Sequence, residues 1–343
     1  MRVADLGEFG LIELLTRELG ITYPPAPGAP PRHGLLVDLG DDAVVTKRRD
    51  VATIWTTDTM VDGVHFLADR AAWQDIGWKA MAVNISDIAA MGGTPDLALV
   101  TLALPADFLV DDAIALYRGI REAATAFNVT MGGGDIVRSP VFSTTVALSG
   151  IAETPKLGET VTMTRGAARV GDVIAVSGNV GDSSGGLRLL QSESFSNSEA
   201  ARYLRVAHIR PNPRVALGKA AVEAGVRCAI DVSDGLLQDL GHIARASNVA
   251  IRIEAIKVPV SDALHEVFPA QALGIALTGG EDYELVLVGP KPIIEGLIDR
   301  SETPLTEIGE VVHHHEVPRV AVVDETGLEI PLGERGWDHF RPS

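Results

Sequence analysis

The chain has 343 residues, 46% of them hydrophobic, and a net charge of −17 from 29 basic and 46 acidic side chains. At roughly 150 residues per domain, this length points to two domains with real cores. So acidic a chain lacks the basic footprint of a nucleic-acid binder and is repelled by anionic lipid, and an anionic substrate would need metal ions to invert the local field.

In chain order, residues 8–19 have helical spacing, with Phe9, Ile12, Leu15 and Leu19 on one side. Residues 1–20 carry acids from Asp5 onward and no continuous apolar core, unlike a secretory signal. The Pro- and Gly-rich stretch 24–31 predicts a surface loop. Strand-like runs follow at 35–39, 43–46 and 53–57. Residues 73–91 predict a long helix ended by Gly92-Gly93. A strand at 97–104 stops at Pro105, a helix covers 111–127, and strands cover 129–131 and 142–150. The most apolar window, 97–110, contains Thr101, Pro105 and Asp107; it is too broken for a membrane span of about 20 residues.

A second unit begins near Thr160. It predicts strand 173–177, helix 184–191, a Ser-rich surface loop at 192–198, helix 214–224, strand 228–232 and helix 236–247, then strands at 250–254, 283–288 and 319–323. The alternation predicts α/β or α+β layers, with expected domains 1–152 and 153–343. The single cysteine, Cys228, lies in the apolar run 226–232 and reads as an inert, buried strand residue. One cysteine forms no internal disulfide, which fits a soluble protein of the reducing cytoplasm.

Six short acidic motifs lie inside or at the ends of apolar runs. They are Gly40-Asp41-Asp42, Thr56-Thr57-Asp58-Thr59, Ser86-Asp87, Gly133-Gly134-Asp135, Asp231-Val232-Ser233-Asp234 and Gly279-Gly280-Glu281-Asp282. A buried carboxylate is costly unless partnered, and no matching set of Lys and Arg stands beside these. Divalent cations are the simplest missing partner, and phosphates are the natural cargo of such cations. Oxygen ligands from Asp and Thr suit Mg2+ and not Zn2+.

Each motif also has a plainer reading. In the 73–91 helix, Ile76, Ala80, Val83 and Asp87 fall within about 60° of one another. Asp87 is therefore either an acid at the rim of a buried face or a ligand at a pocket floor. Ala89 and Ala90 keep the next turn slim, open to a ligand or a strand. Gly132-Gly133-Gly134-Asp135 follows a short strand, as a hairpin or as a place where backbone N–H groups meet a phosphate. Ser233 or Asp234 suits a helix N-cap, which leaves Asp231 unexplained. Gly178-Asn179-Val180-Gly181-Asp182 with Gly185-Gly186 reads as a phosphate nest or a tight turn, and His313–His315 as a surface loop. There is no P-loop and no H-R-D triplet, so any use of ATP belongs to another nucleotide-binding class.

Over almost its whole length the chain resembles the thiamine-monophosphate kinase family, in the superfamily that includes aminoimidazole ribonucleotide synthetase and selenophosphate synthetase. The acidic motifs are shared across the superfamily. Gly63-Val64-His65-Phe66, Gly279-Gly280-Glu281-Asp282-Tyr283-Glu284 and Gly336-Trp337-Asp338-His339-Phe340 are more specific to the family. The resemblance implies a two-domain α/β (α+β) fold whose N-terminal sheet pairs across a homodimer and whose C-terminal domain completes a cleft for ATP, Mg2+ and thiamine monophosphate. It implies a metal site of Asp42, Thr56, Thr57, Asp58, Asp87, Asp135, Asp231 and Asp234. Gly134, Asp135, Arg165, Ser233 and, more weakly, Tyr117 are implied as nucleotide contacts, and His65, Glu281 and Trp337 as the substrate site. Thr56 stands where Ser is also common, which keeps the hydroxyl. Rival readings are another ATP-dependent small-molecule synthesis of the superfamily, or a non-catalytic metal or nucleotide binder. The cysteines that selenophosphate synthesis and hydrogenase maturation need are absent from the sequence.

Overall fold

Two apolar patterns build two sheets. The computed structural model describes residues 35–37, 44–48, 51–153, 161–192, 198–314 and 317–331; the expected 8–19 helix and 24–31 loop lie outside these. The first sheet contains β1 (Leu35–Val37), β2 (Val44–Arg48), β3 (Val51–Val61), β4 (Thr94–Leu104), β5 (Thr130–Arg138) and β6 (Ser143–Ile151), in the order β1-β2-β3-β6-β4-β5. β4 and β5 are parallel and the other pairs antiparallel. Alternation along the strands sends Ile54, Val100, Val146 and Leu148 into a core shared with Ile85 and Ile88 of helix α1 (Trp73–Ala90). Helix α2 (Val110–Ala126) connects β4 to β5 and packs on α1. The opposite face of the sheet carries Trp55, Leu99, Val137 and Ile151, each more than two-fifths exposed.

The second sheet contains β7 (Val173–Ser177), β8 (Cys228–Asp231), β9 (Ala250–Glu254), β10 (Leu285–Gly289), β11 (Leu305–Val312) and β12 (Val320–Val323), in the order β12-β9-β11-β7-β10-β8. Its helices are α3 (Asp182–Gln191), α4 (Glu199–Ile209), α5 (Val215–Ala224), α6 (Leu236–Ser247), α7 (Asp262–Val267), α8 (Ala272–Thr278) and α9 (Lys291–Ile298). β7 and β10 are buried on both faces, which explains their unbroken apolar runs. Ile174, Val176 and Val286 pack with Leu240 and Ile243 of α6, while Val173, Ala175 and Leu287 pack with α5 and α9. None of the described helices is long and apolar enough to cross a membrane.

The slim turn at Ala89 and Ala90 admits a helix and not a strand or ligand. Gly218 of α5 lies so close that a Cβ there would be 2.2 Å from the Ala89 carbonyl oxygen, and both alanines join the second domain's core. The 129–131 strand runs on through the triple glycine to Arg138, so Gly132–Asp135 is part of edge strand β5 and not a hairpin. Helices α4, α7, α8 and α9 and strand β11 were not legible as elements. α7 and α8 are only 6 and 7 residues long. β11 is interrupted by an irregularity at Gly309, where a Cβ would meet the Arg252 carbonyl oxygen at 2.1 Å.

The α1–α2 contact depends on two glycines. A Cβ on Gly77 would lie 2.0 Å from the Leu116 oxygen, and one on Gly119 only 1.7 Å from the Gln74 oxygen. Backbone cannot yield as a side-chain tip does, so Gly119→Ala must separate the helices. We expect a loss of about 1–3 kcal/mol in urea unfolding, whereas the same change at an open helical site would stabilise by about 0.5–1 kcal/mol.

Candidate functional site

Helix α1 brings the two sheets' acidic groups together. Adjacent residues of a helix project about 100° apart, so Ser86 and Asp87 face different domains. Asp87 Oδ2 accepts a hydrogen bond from Thr56 Oγ1 on β3 at 2.5 Å. Ser86 Oγ donates to Oδ2 of buried Asp231 on β8 at 2.7 Å. Asp58, two residues beyond Thr56, shares its face of β3. Buried Tyr283 feels four carboxylates, its phenol being pushed well above its usual range by burial and then by Glu281, Asp58, Asp231 and Asp87. Asp58, Asp87, Asp231 and Glu281 therefore converge where the domains meet.

Two turns supply the second domain's part. Val232 N–H donates to the Glu284 oxygen (2.8 Å), Tyr283 N–H to the Val232 oxygen (2.9 Å) and Glu281 N–H to the Ser233 oxygen (2.8 Å). Gly280 permits the approach, since a Cβ there would be 2.4 Å from the Ser233 oxygen. Glu281 and Tyr283 are held at φ 66° and 53°, a left-handed backbone that costs a non-glycine residue about 1 kcal/mol or more. The paired turns hold both residues in that conformation. Glu284 beneath them is clamped by Arg214 (2.7 and 2.5 Å) and by Ser177 Oγ (2.5 Å).

Neither Ser233 nor Asp234 caps α6. The cap position is Gly235, and the carboxylate of buried Asp239 accepts the N–H groups of Ser233 (3.1 Å), Asp234 (3.2 Å) and Gly235 (3.1 Å). Burial, then Asp234 and Asp231, push the Asp239 carboxyl up, opposed by Arg165. Ligand atoms of Asp234, Asp239 and His242 lie within 4.8 Å of one another, and Arg165 acts on both Asp239 and His242. Of the two readings of 178–182, nest or tight turn, the structure shows the turn. Its Gly181 and Ser183 N–H groups donate to the Asp282 carboxylate at 2.6 and 2.9 Å.

On the third side, Glu281 Oε1 lies 2.8 Å from Lys79 Nζ, and Oε2 lies 3.7 Å from His208 Nδ1. Burial pushes the Glu281 carboxyl up, but the charge and hydrogen bond of Lys79 lead the opposing influences that hold the group below its ordinary value. His65 Nδ1 accepts the Val61 N–H at 3.1 Å. His208 stays neutral, its pKa lowered to about 3 by burial and by Lys79.

Not every expected residue joins this group. Thr57 alternates to the opposite face of β3 from Thr56 and Asp58. Asp135 pairs with Thr101, Thr101 with Thr145, and Thr145 with Thr59, which places Asp135 on that same outer face. β5 is three strand spacings, about 14 Å, from β3. Gly134 lies against β4, where a Cβ would meet the Val100 oxygen at 1.8 Å. Tyr117 is exposed on α2. Asp42 and Trp337 lie outside the described residues. Lys79, Asp239 and Tyr283 are additions that no motif logic assigned. Lys79 had one signal, its seven-residue spacing from Ser86, which puts both on one helix face.

The chain matches the AIR synthase related protein N-terminal domain over residues 40–153 and the corresponding C-terminal domain over 169–320. It is 34% identical to a thiamine-monophosphate kinase of Aquifex aeolicus over 345 aligned residues, covering 99% of this chain and 100% of that one. It is 36% identical to the enzyme of the same name from Bacillus subtilis, covering 89% and 94%. Among solved structures, AaThiL complexed with AMPPCP and TMP superimposes with a TM-score of 0.84 at 33% identity, covering 99% of each chain.

His208 gives a pH test of this geometry. The unfolded ring takes up its proton near 6.5 and the folded ring only near 3. The neutral ring's contribution is complete above pH 6.5 and is lost as pH falls towards about 3. Between these values one proton separates the states, a slope of about 1.4 kcal/mol per pH unit. Stability measured by urea at pH 5 and pH 6 is expected to lose about one proton's slope in His208→Gln. An unchanged slope would mean that His208 titrates normally in the fold.

Proposed function

The chain belongs to the thiamine-monophosphate kinase family of AIR synthase related proteins, and from that premise we propose that it transfers the γ-phosphoryl group of ATP to the phosphate of thiamine monophosphate, giving thiamine diphosphate and ADP. The observation that carries this reading is the convergence of Asp58, Asp87, Asp231 and Glu281 around Tyr283 at the domain junction. Thr56, Asp58, Asp87 and Asp231 offer only hard oxygen donors, a set that fits Mg2+. Bound Mg2+ would offset the repulsion between donor and acceptor phosphates, about 4 kcal/mol per unit-charge pair in close contact near the protein surface.

The chain's own groups preset the remaining geometry. Thr56 fixes Asp87 and Ser86 fixes Asp231, so the carboxylates need little reorganisation. The attacking phosphate oxygen is already ionised near neutral pH and needs no base. His65 fits a binding role. Its Nδ1 accepts a backbone N–H, so the proton resides on Nε2, which donates to a substrate phosphate. We assign Glu281 and Trp337 to the substrate with His65. Gly134, Arg165 and Ser233, with Tyr117, are assigned to the nucleotide, and Asp42 and Asp234 complete the metal ligands. A cytoplasmic location fits the free, buried Cys228.

We further read the active form as a homodimer. Thr57 and Asp135 lie on the open apolar face with Trp55, Leu99 and Val137, on strands three spacings apart within one chain. Packing two such faces buries the apolar residues and lets the partner's Asp135 approach Thr57, joining the nucleotide half of one site to the metal half of another.

Purified protein with ATP and Mg2+ is expected to convert thiamine monophosphate to thiamine diphosphate and to leave free thiamine untouched, since a hydroxyl acceptor would require a base. Equal turnover of thiamine would show the acceptor to be misassigned.

Asp87→Asn removes one charge at nearly constant shape. Activity is expected to fall by about 10²-fold or more, while the melting temperature in EDTA holds or rises as a like-charge contact is relieved. Mg2+ with ATP is expected to raise the wild-type melting temperature and that of the variant much less. Destabilisation in EDTA with an unchanged response to Mg2+ and ATP would make Asp87 a structural acid.

Mixed dimers test the shared site. Asp58→Asn and Asp135→Asn proteins are each expected to be inactive. Coexpressed, they should recover about a quarter of wild-type activity, because half of the random dimers carry one intact site of two. No recovery would place both groups in one chain's site.

A further inference from the structure

Lys79 is 3% exposed, and its ammonium serves neither the α1–α2 contact nor the first sheet. α1 carries it to the second domain, 2.8 Å from Glu281 Oε1 and 3.4 Å from His208 Nε2. With the ring neutral, Nε2 accepts from Lys79, and the Nδ1 proton faces Ser183 Oγ at 3.0 Å. The ammonium is thus directed to two acceptors, both on the far side of the domain junction. A cavity of about 20 Å³, room for one water, adjoins it, walled mainly by apolar residues such as Met60, Phe66, Ile76 and Leu187 beside Arg70 and His208.

Such a pair is hard to explain by stability. A buried ion pair often does no better than hydrophobic residues of the same volume. Glu281 is itself held in a left-handed conformation, at a cost, and its carboxylate remains a quarter exposed at the junction. A group kept ionised, strained and partly open is placed for a ligand. We propose that Lys79 is a positioning residue for substrate binding: reaching across the domain junction, it fixes the Glu281 carboxylate in the orientation that receives thiamine monophosphate. This rests on the assignment of Glu281 to the substrate. It adds that the substrate side is assembled only when both domains are docked, because the lysine and the glutamate come from different ones.

Steady-state kinetics of Lys79→Met, Glu281→Gln and the double variant decide it. Lys79→Met is expected to raise KM for thiamine monophosphate by about tenfold or more, with kcat and KM for ATP within about threefold of wild type. Because Lys79 acts through Glu281, the double variant should match Glu281→Gln within about twofold. If Glu281→Gln raises this KM and Lys79→Met does not, Lys79 is structural and the proposal fails alone. If Glu281→Gln leaves KM unchanged, the substrate role of Glu281 falls, and the proposal with it. Lys79→Met strands a buried carboxylate and can fail to fold, but the double variant carries no unpaired charge. A double variant whose KM lies well above that of Glu281→Gln would overturn the proposal without any need for the single variant.

Discussion

The burial of α1 between two sheets is the constraint on which the rest depends. A helix covered on one side needs one apolar stripe; this one is buried along most of its circumference, from Ile76 to Ala90. Three of its polar residues find partners in segments proposed to be functional. Asp87 meets Thr56, Ser86 meets Asp231, and Lys79 meets Glu281. Desolvation enforces these pairs, since an unpartnered buried hydroxyl or charge costs more than a typical hydrogen bond gains. One rigid element thereby sets the distance between the two halves of the site.

The same logic accounts for the second domain's turns. Acids within the protein consume the backbone donors that a phosphate might have used. Asp239 takes three N–H groups at the start of α6, and Asp282 takes two in the 178–183 turn. The loops are thus rigid before any ligand arrives, and the anionic substrates are left to cationic partners. In a chain of net charge −17, that arrangement places the whole burden of phosphate recognition on a few local reversals of field.

How much of this could be read from residues alone varied with locality. α1 was legible because its apolar spacing and terminal glycines are local features. So were β7, β9 and α6. β5 was not. Gly132, Gly133 and Gly134 look like a loop until β4 is beside them and the Val100 carbonyl explains why position 134 tolerates no Cβ. The choice between nest and turn at 178–182 stayed open for a related reason, because the carboxylate that fills it is about a hundred residues away in sequence. Asp87 and Asp231 were identifiable as costly acids, but Thr56 reaches Asp87 from another element of the sheet and Ser86 reaches Asp231 across domains, which no spacing rule connects.

The separation of Asp135 from Asp58 carries the argument furthest. Strand alternation places Asp135, opposite Thr101, on the outer face of the sheet, so it does not meet Asp87 within its own sheet. The outer face it occupies is apolar at Trp55, Leu99, Val137 and Ile151, in a protein whose acidic surface otherwise discourages association. An open apolar face of this kind is unfavourable in isolation. Its cost is offset if a second copy covers it, and in the proposed homodimer the same covering would unite the divided ligands. Burial and chemistry then impose the same requirement on the same strands, and a change that exposes the face removes the site with it.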